Sequence, residues 1–527
     1  MRWIEINLET FAVRQSGFSE HAAHGRAIFH SGSLGHATRI EDIKDAEYAQ
    51  LVVVDTVSRT VAFGRDYLGH YPLTYGYTGQ TLIISDSYSY VHGALRACGA
   101  SLTISEEALA LFFTMGFVPH GQSIYREIVN CEATGYYLWQ NRSVRRVNLF
   151  EPIAISASES IGAIGEAIEA EVERYARQSD QIDIWCSGGL DSSIMAMRFN
   201  ARPRQADIIT LAYGHAIHEQ YGDGERRFAR TVAQAAQTHM RDVDLSPQQF
   251  DRMHTMFAET HNGPVMDFPL PPKYALAQAT RDMAITGEAG DTFFGGTKNA
   301  SVMYAHHKQP DACLGRLYAV AHNRYFKNLK EIFKRGEQLE TFAVEHCDKL
   351  AQAYPGDVQR KLFYLNSHEK LGSMIFAQSY FPSQVFGIRV RHPIASLGVY
   401  KASFAVPDHR KFSYPFSKIA LIELYREQLP PVIVQRKKSG TQLPLDHYLR
   451  HFSPGKFDFS PLRETGFFQD AFLDKVSTPS ACETVPPLLL YACTTLNHWL
   501  KHKELHHVKS IPTQTGHHQR QASGSAV

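Results

Sequence analysis

Hydrophobic and polar positions alternate along roughly the first 150 residues and then change period. The runs AQLVVVDTVSRTVAFGRD (49–66) and QTLIISDSYSYV (80–91) are β-branched, alternate in polarity and are separated by turn residues, which predicts strands. Between them and residue 150, SEEALALFFTMG (105–116) has helical spacing, with Ser105 as N-cap and Gly116 as the stop. From about residue 158 the pattern alternates. SIGAIGEAIEAEVERYARQ (160–178) predicts a helix, IDIWC (182–186) a strand, and 191–199 a helix. DIITLAY (207–213) then predicts a strand and ERRFARTVAQAAQ (225–237) a helix. Strand and helix units of this length predict a parallel, doubly wound sheet. After MAITG (283–287) the chain reads as mostly helical to about 505, and no repeat of the solenoid kind is visible.

A chain of 527 residues is too long for one core, so two domains are expected. Hydrophobic content of 44% with 20% charged residues fits a soluble globular protein. The net charge of +1 leaves no electrostatic footprint for nucleic acid or a membrane surface. No apolar run is long enough to span a bilayer, and MRWIEINLETFAV lacks the layout of a signal peptide. Seven scattered cysteines without a CxxC point to reduced, packed thiols in a cytoplasmic protein. The 27 histidines lack the spaced partners of a zinc site.

The chemistry concentrates in IDIWCSGGLDSSIMAM (182–197). A buried strand that enters Ser-Gly-Gly and then a helix presents backbone N–H groups at a positive helix end, which suits phosphate. Gly188 and Gly189 allow close backbone approach, where a Cβ would collide with the ligand. Ser187, Ser192 and Ser193 add hydroxyls, and Leu190 opens the helix. Asp191 would repel phosphate unless a cation such as Mg²⁺ sits between them.

This stretch resembles the SGGxDS loop of the ATP pyrophosphatases, and further segments resemble the asparagine synthetase branch of that superfamily. ITGEAGDTFFGG (285–296) is similar to the family's S/T-G-x-G-x-D-E-x-F-G-G. It ends another parallel strand, so Asp291 is expected to face Asp191 and Gly287 to border the nucleotide. KIALIELYREQLPPVIVQRKKSG (418–440) resembles K-x-x-L-R-E…LP-x-x-V-x-x-R-x-K, which places Lys438 on the family's catalytic lysine, with Lys437 one register away. In DIITLAY the strand end that reads adenine corresponds to Leu211. FGIRVRHPI (386–394) keeps Arg391 and Pro393 of G-x-E-A-R-x-P-F but has Arg389 for the glutamate, so an acidic substrate group would be handled differently. Glu288 is the candidate acid–base or substrate-orienting group, and Glu225 a partner of its helix dipole.

FGRDYLGHYPLTY (63–75) resembles R-D-x-x-G-x-x-P-L-Y-Y of the family's glutaminase domain, and GQSIYREIVNCEATGYYL (121–138) its closing segment. Such glutaminases use a cysteine that follows the initiator methionine as nucleophile and base. Here Arg2 follows Met1, so glutamine hydrolysis is expected to be absent. The resemblance implies an α/β and α+β architecture. A degenerate Ntn-hydrolase-like sandwich would span 1–157, an ATP pyrophosphatase sheet with added helices 158–507, and a disordered polar tail 508–527.

With ATP and Mg²⁺ as cofactors, the implied reaction adenylates a carboxylate and joins it to an amine carried by the substrate. Relatives with this loss include lasso-peptide macrolactam synthetases, which close an Asp or Glu side chain onto the peptide's N-terminus, and β-lactam synthetases. The Gly290-Asp291 pair is nearer the former, and a precursor-processing protease would then be a partner. A small-metabolite or ammonia-dependent synthetase is the alternative, and a non-catalytic binding protein a third reading.

Overall fold

The computed structural model describes the chain except residues 24, 33, 35–36, 158, 203–205, 213–224, 323, 437–442, 479 and 506–527. The tail expected to be disordered, 508–527, lies outside the described residues, as do Lys437 and Lys438.

The alternation in the first half resolves into two antiparallel sheets. Five strands, β1 (Trp3–Asn7), β2 (Val13–Ser16), β7 (Thr74–Tyr77), β8 (Thr81–Ser85) and β9 (Ile128–Asn130), pair in the order β2-β1-β8-β7-β9. Six others, β3 (Ser19–Ala23), β4 (Arg26–Ser31), β5 (Gln50–Asp55), β6 (Thr60–Arg65), β10 (Gly135–Gln140) and β11 (Ser143–Asn148), pair as β11-β10-β6-β5-β4-β3. Period two decides the layering. Val52, Val54, Val61 and Phe63 share one buried cluster with Ile4, Ile6, Leu82 and Ile84 of the facing sheet. The alternate residue Ile83 turns the other way, onto the helices Tyr88–Ala97 and Glu106–Met115. The second helix is delimited as its sequence predicts: the Ser105 hydroxyl accepts from Ala108 N–H at 3.2 Å, and Gly116 closes it at φ 88°.

The second half is built on a five-stranded parallel sheet, β14-β13-β12-β15-β16. Its strands are β12 (Ile182–Trp185), β13 (Asp207–Ala212), β14 (Met240–Asp244), β15 (Met283–Ile285) and β16 (Arg389–Arg391). The chain builds outward from β12 to β14, then returns to β12's other side for β15 and β16. This reversal makes a topological switch point between β12 and β15, where the carboxyl ends of the strands leave a crevice. The sequence reading omitted β14 and β16, and β16 interrupts the stretch expected to be helical. A three-residue strand such as β16 carries too few positions to show a period. Among the described residues no helix is long and apolar enough to cross a membrane.

The halves share one continuous core. At their contact, buried rings stack in series: Tyr48 on His70 (4.1 Å), His70 on Phe376 (4.3 Å) and Phe376 beside His392 (5.2 Å). Asp66 of the arginine–aspartate motif orients His70 through Nδ1 at 2.7 Å, and His70 Nε2 meets the Ala395 carbonyl at 3.1 Å.

His254, His261, His322, His368 and His392 are all buried, and burial is the first cause that pushes each below the ordinary imidazole value of 6.5, His368 to about 3. A group whose pKa is depressed by folding stabilises the fold above its unfolded value and loses that contribution as pH falls. The denaturant midpoint should therefore be highest above pH 6.5 and decline below it, with each histidine adding up to about 1.4 kcal/mol per pH unit. A midpoint that stays level from pH 7 to 5 would contradict neutral burial of these rings.

Candidate active site

The crevice at the switch point holds a cavity of about 500 Å³, a size suited to a small-molecule ligand. Ser187, Gly189, Leu190, Asp191 and Ser192 line it after β12, Leu211 at the end of β13, and Gly287, Glu288 and Asp291 after β15. These residues come from three strand ends and meet as the sequence predicts. Gly188 and Ser193 do not border the cavity. Ser193 is fully buried within the helix Leu190–Asn200, because the second serine of the pair falls on that helix's inner face. Gly188 is required for a different reason than ligand approach. It sits at φ +67°, and a Cβ there would lie 2.3 Å from Phe228 Cβ and 2.7 Å from Ala229 N.

The turn after β12 is held from below. Arg436 Nη1 donates to the carbonyls of Ser187 (3.3 Å) and Gly188 (2.9 Å), while its guanidinium lies 4.1 Å from the Phe228 ring centroid. Glu225 completes this arrangement. It occupies the N-cap of Arg226–Ala235 without capping through its side chain, which instead lies 3.6 Å from Arg436. That corrects the reading of Glu225 as only a dipole partner. The helix Leu190–Asn200 also starts without a side-chain cap, from Gly189, which leaves a positive end toward the cavity for an anion.

Two glycines bring the second loop onto the first. A Cβ at Gly287 would lie 2.5 Å from Ser192 N, and one at Gly290 2.2 Å from Asp191 Cγ. Asp191 and Asp291 thereby reach one buried cation, the ammonium of Lys418. It contacts Asp191 Oδ2 and lies 2.7 Å from Asp291 Oδ1. Burial alone would lower the Lys418 pKa, but the two carboxylates overcome it and hold the value above the ordinary lysine range. Lys418 was not singled out from sequence, although it opens the stretch matched to the family. Its neighbours there supplied no charge pattern to mark it.

Two convergent carboxylates beside a helix N-terminus fit a magnesium ion shared with phosphate oxygens. Among the described residues no third histidine, cysteine or carboxylate joins them, so water and phosphate would supply the remaining ligands. Also lining the cavity, Glu288 Oε1 lies 2.7 Å from Lys273 Nζ, a cation that the sequence reading missed. Arg389 lies elsewhere. It pairs with Asp282 at 2.5 Å and with the Gln178 carbonyl at the sheet edge. Arg391 stacks over Tyr48 at 4.5 Å, and Pro393 opens a short 3₁₀ turn.

Residues 163–501 match the family described as asparagine synthase, and 44–150 match a glutamine amidotransferase domain. The chain is 20% identical over 430 residues to "Asparagine synthetase (glutamine-hydrolyzing) 1" of Bacillus subtilis (strain 168), covering 73% of this chain and 66% of that protein. It is 22% identical over 253 residues to a provisionally assigned glutamine-hydrolyzing asparagine synthetase 2 of Methanocaldococcus jannaschii, covering 46% of this chain and 48% of that protein. The matches thus span from about half to just under two thirds of these relatives' lengths.

Removing the cation between Asp191 and Asp291 leaves two carboxylates facing each other. Lys418→Met should lower stability by about 1–3 kcal/mol in metal-free buffer, less than for a fully buried pair because the Asp291 side chain is 45% exposed. Part of that loss should return on adding Mg²⁺, an effect weak or absent in the wild type. Thermal melts with and without Mg²⁺ measure both, and a variant that melts alike in the two buffers would argue against a shared cation site.

Proposed function

This chain belongs to the asparagine synthase family, and from that membership we propose that it is an ATP-dependent, AMP- and diphosphate-forming amide ligase acting on a peptide, a macrolactam synthetase of the lasso type. The observation that carries the ligase reading is the convergence of the Ser187–Ser192 turn, Asp191, Asp291 and Lys418 on one cavity at the sheet's switch point.

In the reaction a substrate carboxylate oxygen attacks the α-phosphorus of ATP and diphosphate leaves. A substrate amine, having lost its ammonium proton, then attacks the acyl carbon and AMP leaves, so the amide closes with a second proton released. The helix end at Leu190 and the Lys418 ammonium stabilise the charge that builds on diphosphate. Magnesium, held by Asp191 and Asp291, would neutralise phosphate oxygens. Glu288, which lines the cavity, takes the amine's proton in this reading. The role proposed for Lys438 rests on the family resemblance alone.

The amine comes from the substrate in this reading. Arg2 directly precedes β1, where the resembling glutaminases expose their terminal cysteine. Its main-chain N–H donates to Asp86 at 2.8 Å, and its guanidinium reaches Asp86 at 3.3 Å and Tyr380 at 3.1 Å. Of the two cysteines in that half, Cys131 is buried and burial raises its thiol pKa, which leaves little reactive thiolate, and Cys98 is exposed beyond the end of a helix.

Incubation with ATP, Mg²⁺ and a linear precursor peptide should release AMP and diphosphate in a peptide-dependent way and yield a product lighter by one water. Asp191→Asn should cut turnover by about 10²–10³, comparable to loss of one strong transition-state contact. Diphosphate release with a small carboxylic acid alone would instead favour a β-lactam synthetase-like or ammonia-dependent enzyme. ATP binding without AMP formation on any carboxylate would mark a non-catalytic protein.

A further inference from the structure

We propose that Lys273 is the residue that recognises the substrate carboxylate, and that its pair with Glu288 is a template for a substrate carrying a carboxylate and an ammonium together. The proposal rests on the ligase reading above and narrows its substrate class.

Four described cations border the cavity: Arg226, Lys273, Lys418 and Arg436. Arg226 Nε is paired with Asp242 at 2.8 Å, Arg436 holds the turn after β12, and Lys418 serves the two aspartates. Lys273 lies beside Glu288 instead, projecting from the helix Leu270–Ala279. Its ammonium has three hydrogens. One goes to Glu288 Oε1 and one to Gln378 Oε1, each at 2.7 Å, which leaves the third for a ligand.

The lysine is aimed rather than loose. Gln378 is 1% exposed, and its Nε2 donates to Asp267 at 2.6 Å, which forces its carbonyl oxygen toward Lys273. Arg389, the position where the sequence departs from the family pattern, cannot supply this charge, because Asp282 and the Gln178 carbonyl hold it at the sheet edge.

A substrate carboxylate that approaches Lys273 also approaches Glu288. A carboxylate alone would be repelled there. A substrate that brings an ammonium as well exchanges one internal ion pair for two, with no net charge added to the site. The two reacting groups then lie side by side before activation. When the carboxylate oxygen bonds to the α-phosphorus and diphosphate leaves, the ammonium is already on Glu288, to which it passes a proton before its nitrogen attacks the acyl carbon and displaces AMP.

The test titrates C-terminally amidated linear peptides with a free N-terminal amine and one aspartate into the full chain, with matched N-acetylated and asparagine-containing peptides. Wild-type protein should favour the aspartyl, free-amine form over both. Lys273→Met should weaken its binding about tenfold to a hundredfold, the loss of one charge-assisted hydrogen bond, and shift the ATP Kd by no more than about twofold. Lys273→Arg should recover part of the loss, and Gln378→Leu should reproduce a smaller one. Equal preference for aspartyl over asparaginyl peptide in wild type and Lys273→Met would overturn the inference; if that variant does not fold, unchanged preference in Gln378→Leu and Lys273→Arg would do so. Wild-type turnover together with that result removes only this inference. No carboxylate-dependent binding or AMP release by the wild type removes the ligase reading with it.

Discussion

The site depends on one close approach, the loop after β15 resting directly on the loop after β12. Gly287 and Gly290 leave no room for a Cβ against Ser192 and Asp191, so larger side chains there would separate the two loops. Between them Ala289 adopts φ +73°, a left-handed conformation that a non-glycine residue enters at some cost and that marks a constrained turn. That approach forces Asp191 toward Asp291, and a third element must then supply positive charge. Lys418 does so from the start of the helix Ile419–Tyr425, itself at φ +57° with its N–H on the Phe294 carbonyl. Three elements distant in sequence are thus fixed by a single electrostatic requirement.

Much of this was legible in the sequence, for a physical reason. Residues that meet a phosphate or pack two backbones together must be small, and the runs Ser187–Gly189 and Gly287–Asp291 therefore stand out within apolar surroundings. The period change near residue 158 announced a parallel sheet because buried strands alternating with amphipathic helices have few other arrangements. What stayed hidden was partnership. Lys273, Lys418 and Arg436 are ordinary cations in their local sequence, and only the fold shows that each is held against a particular acid or carbonyl. Glu225 was misread for the same reason: its place at a helix start was visible, its contact with Arg436 was not.

The cavity lining carries two clusters of paired charge. In one, Asp191 and Asp291 meet the Lys418 ammonium beside a bare helix end, and the two carboxylates outnumber that one cation. In the other, Lys273 and Glu288 cancel each other in charge. In the proposed reaction a triphosphate would meet the first cluster only with a divalent cation to offset the excess carboxylate, and the second would meet a substrate with balanced charge. The division comes from topology, since the first cluster joins the ends of β12 and β15 to Lys418 and the second adds the helix Leu270–Ala279 that leads into β15.

The same connectivity gives the N-terminal half a role that needs no thiol. Tyr48, from that half, accepts a hydrogen bond from the His392 main-chain N–H at 2.9 Å. His392 Nδ1 meets Thr286 Oγ1 at 2.6 Å, and that oxygen accepts from Glu288 N–H at 3.3 Å. Asp66 and His70, which belong to the amidotransferase-like motif, hold the ring on which Tyr48 stacks. Stripped of this half, the strand end bearing Glu288 would lose the buried partners that fix its backbone, and His392 would be open to water and to protonation. The amidotransferase-like half is thereby tied, contact by contact, to the strand end that bears Glu288.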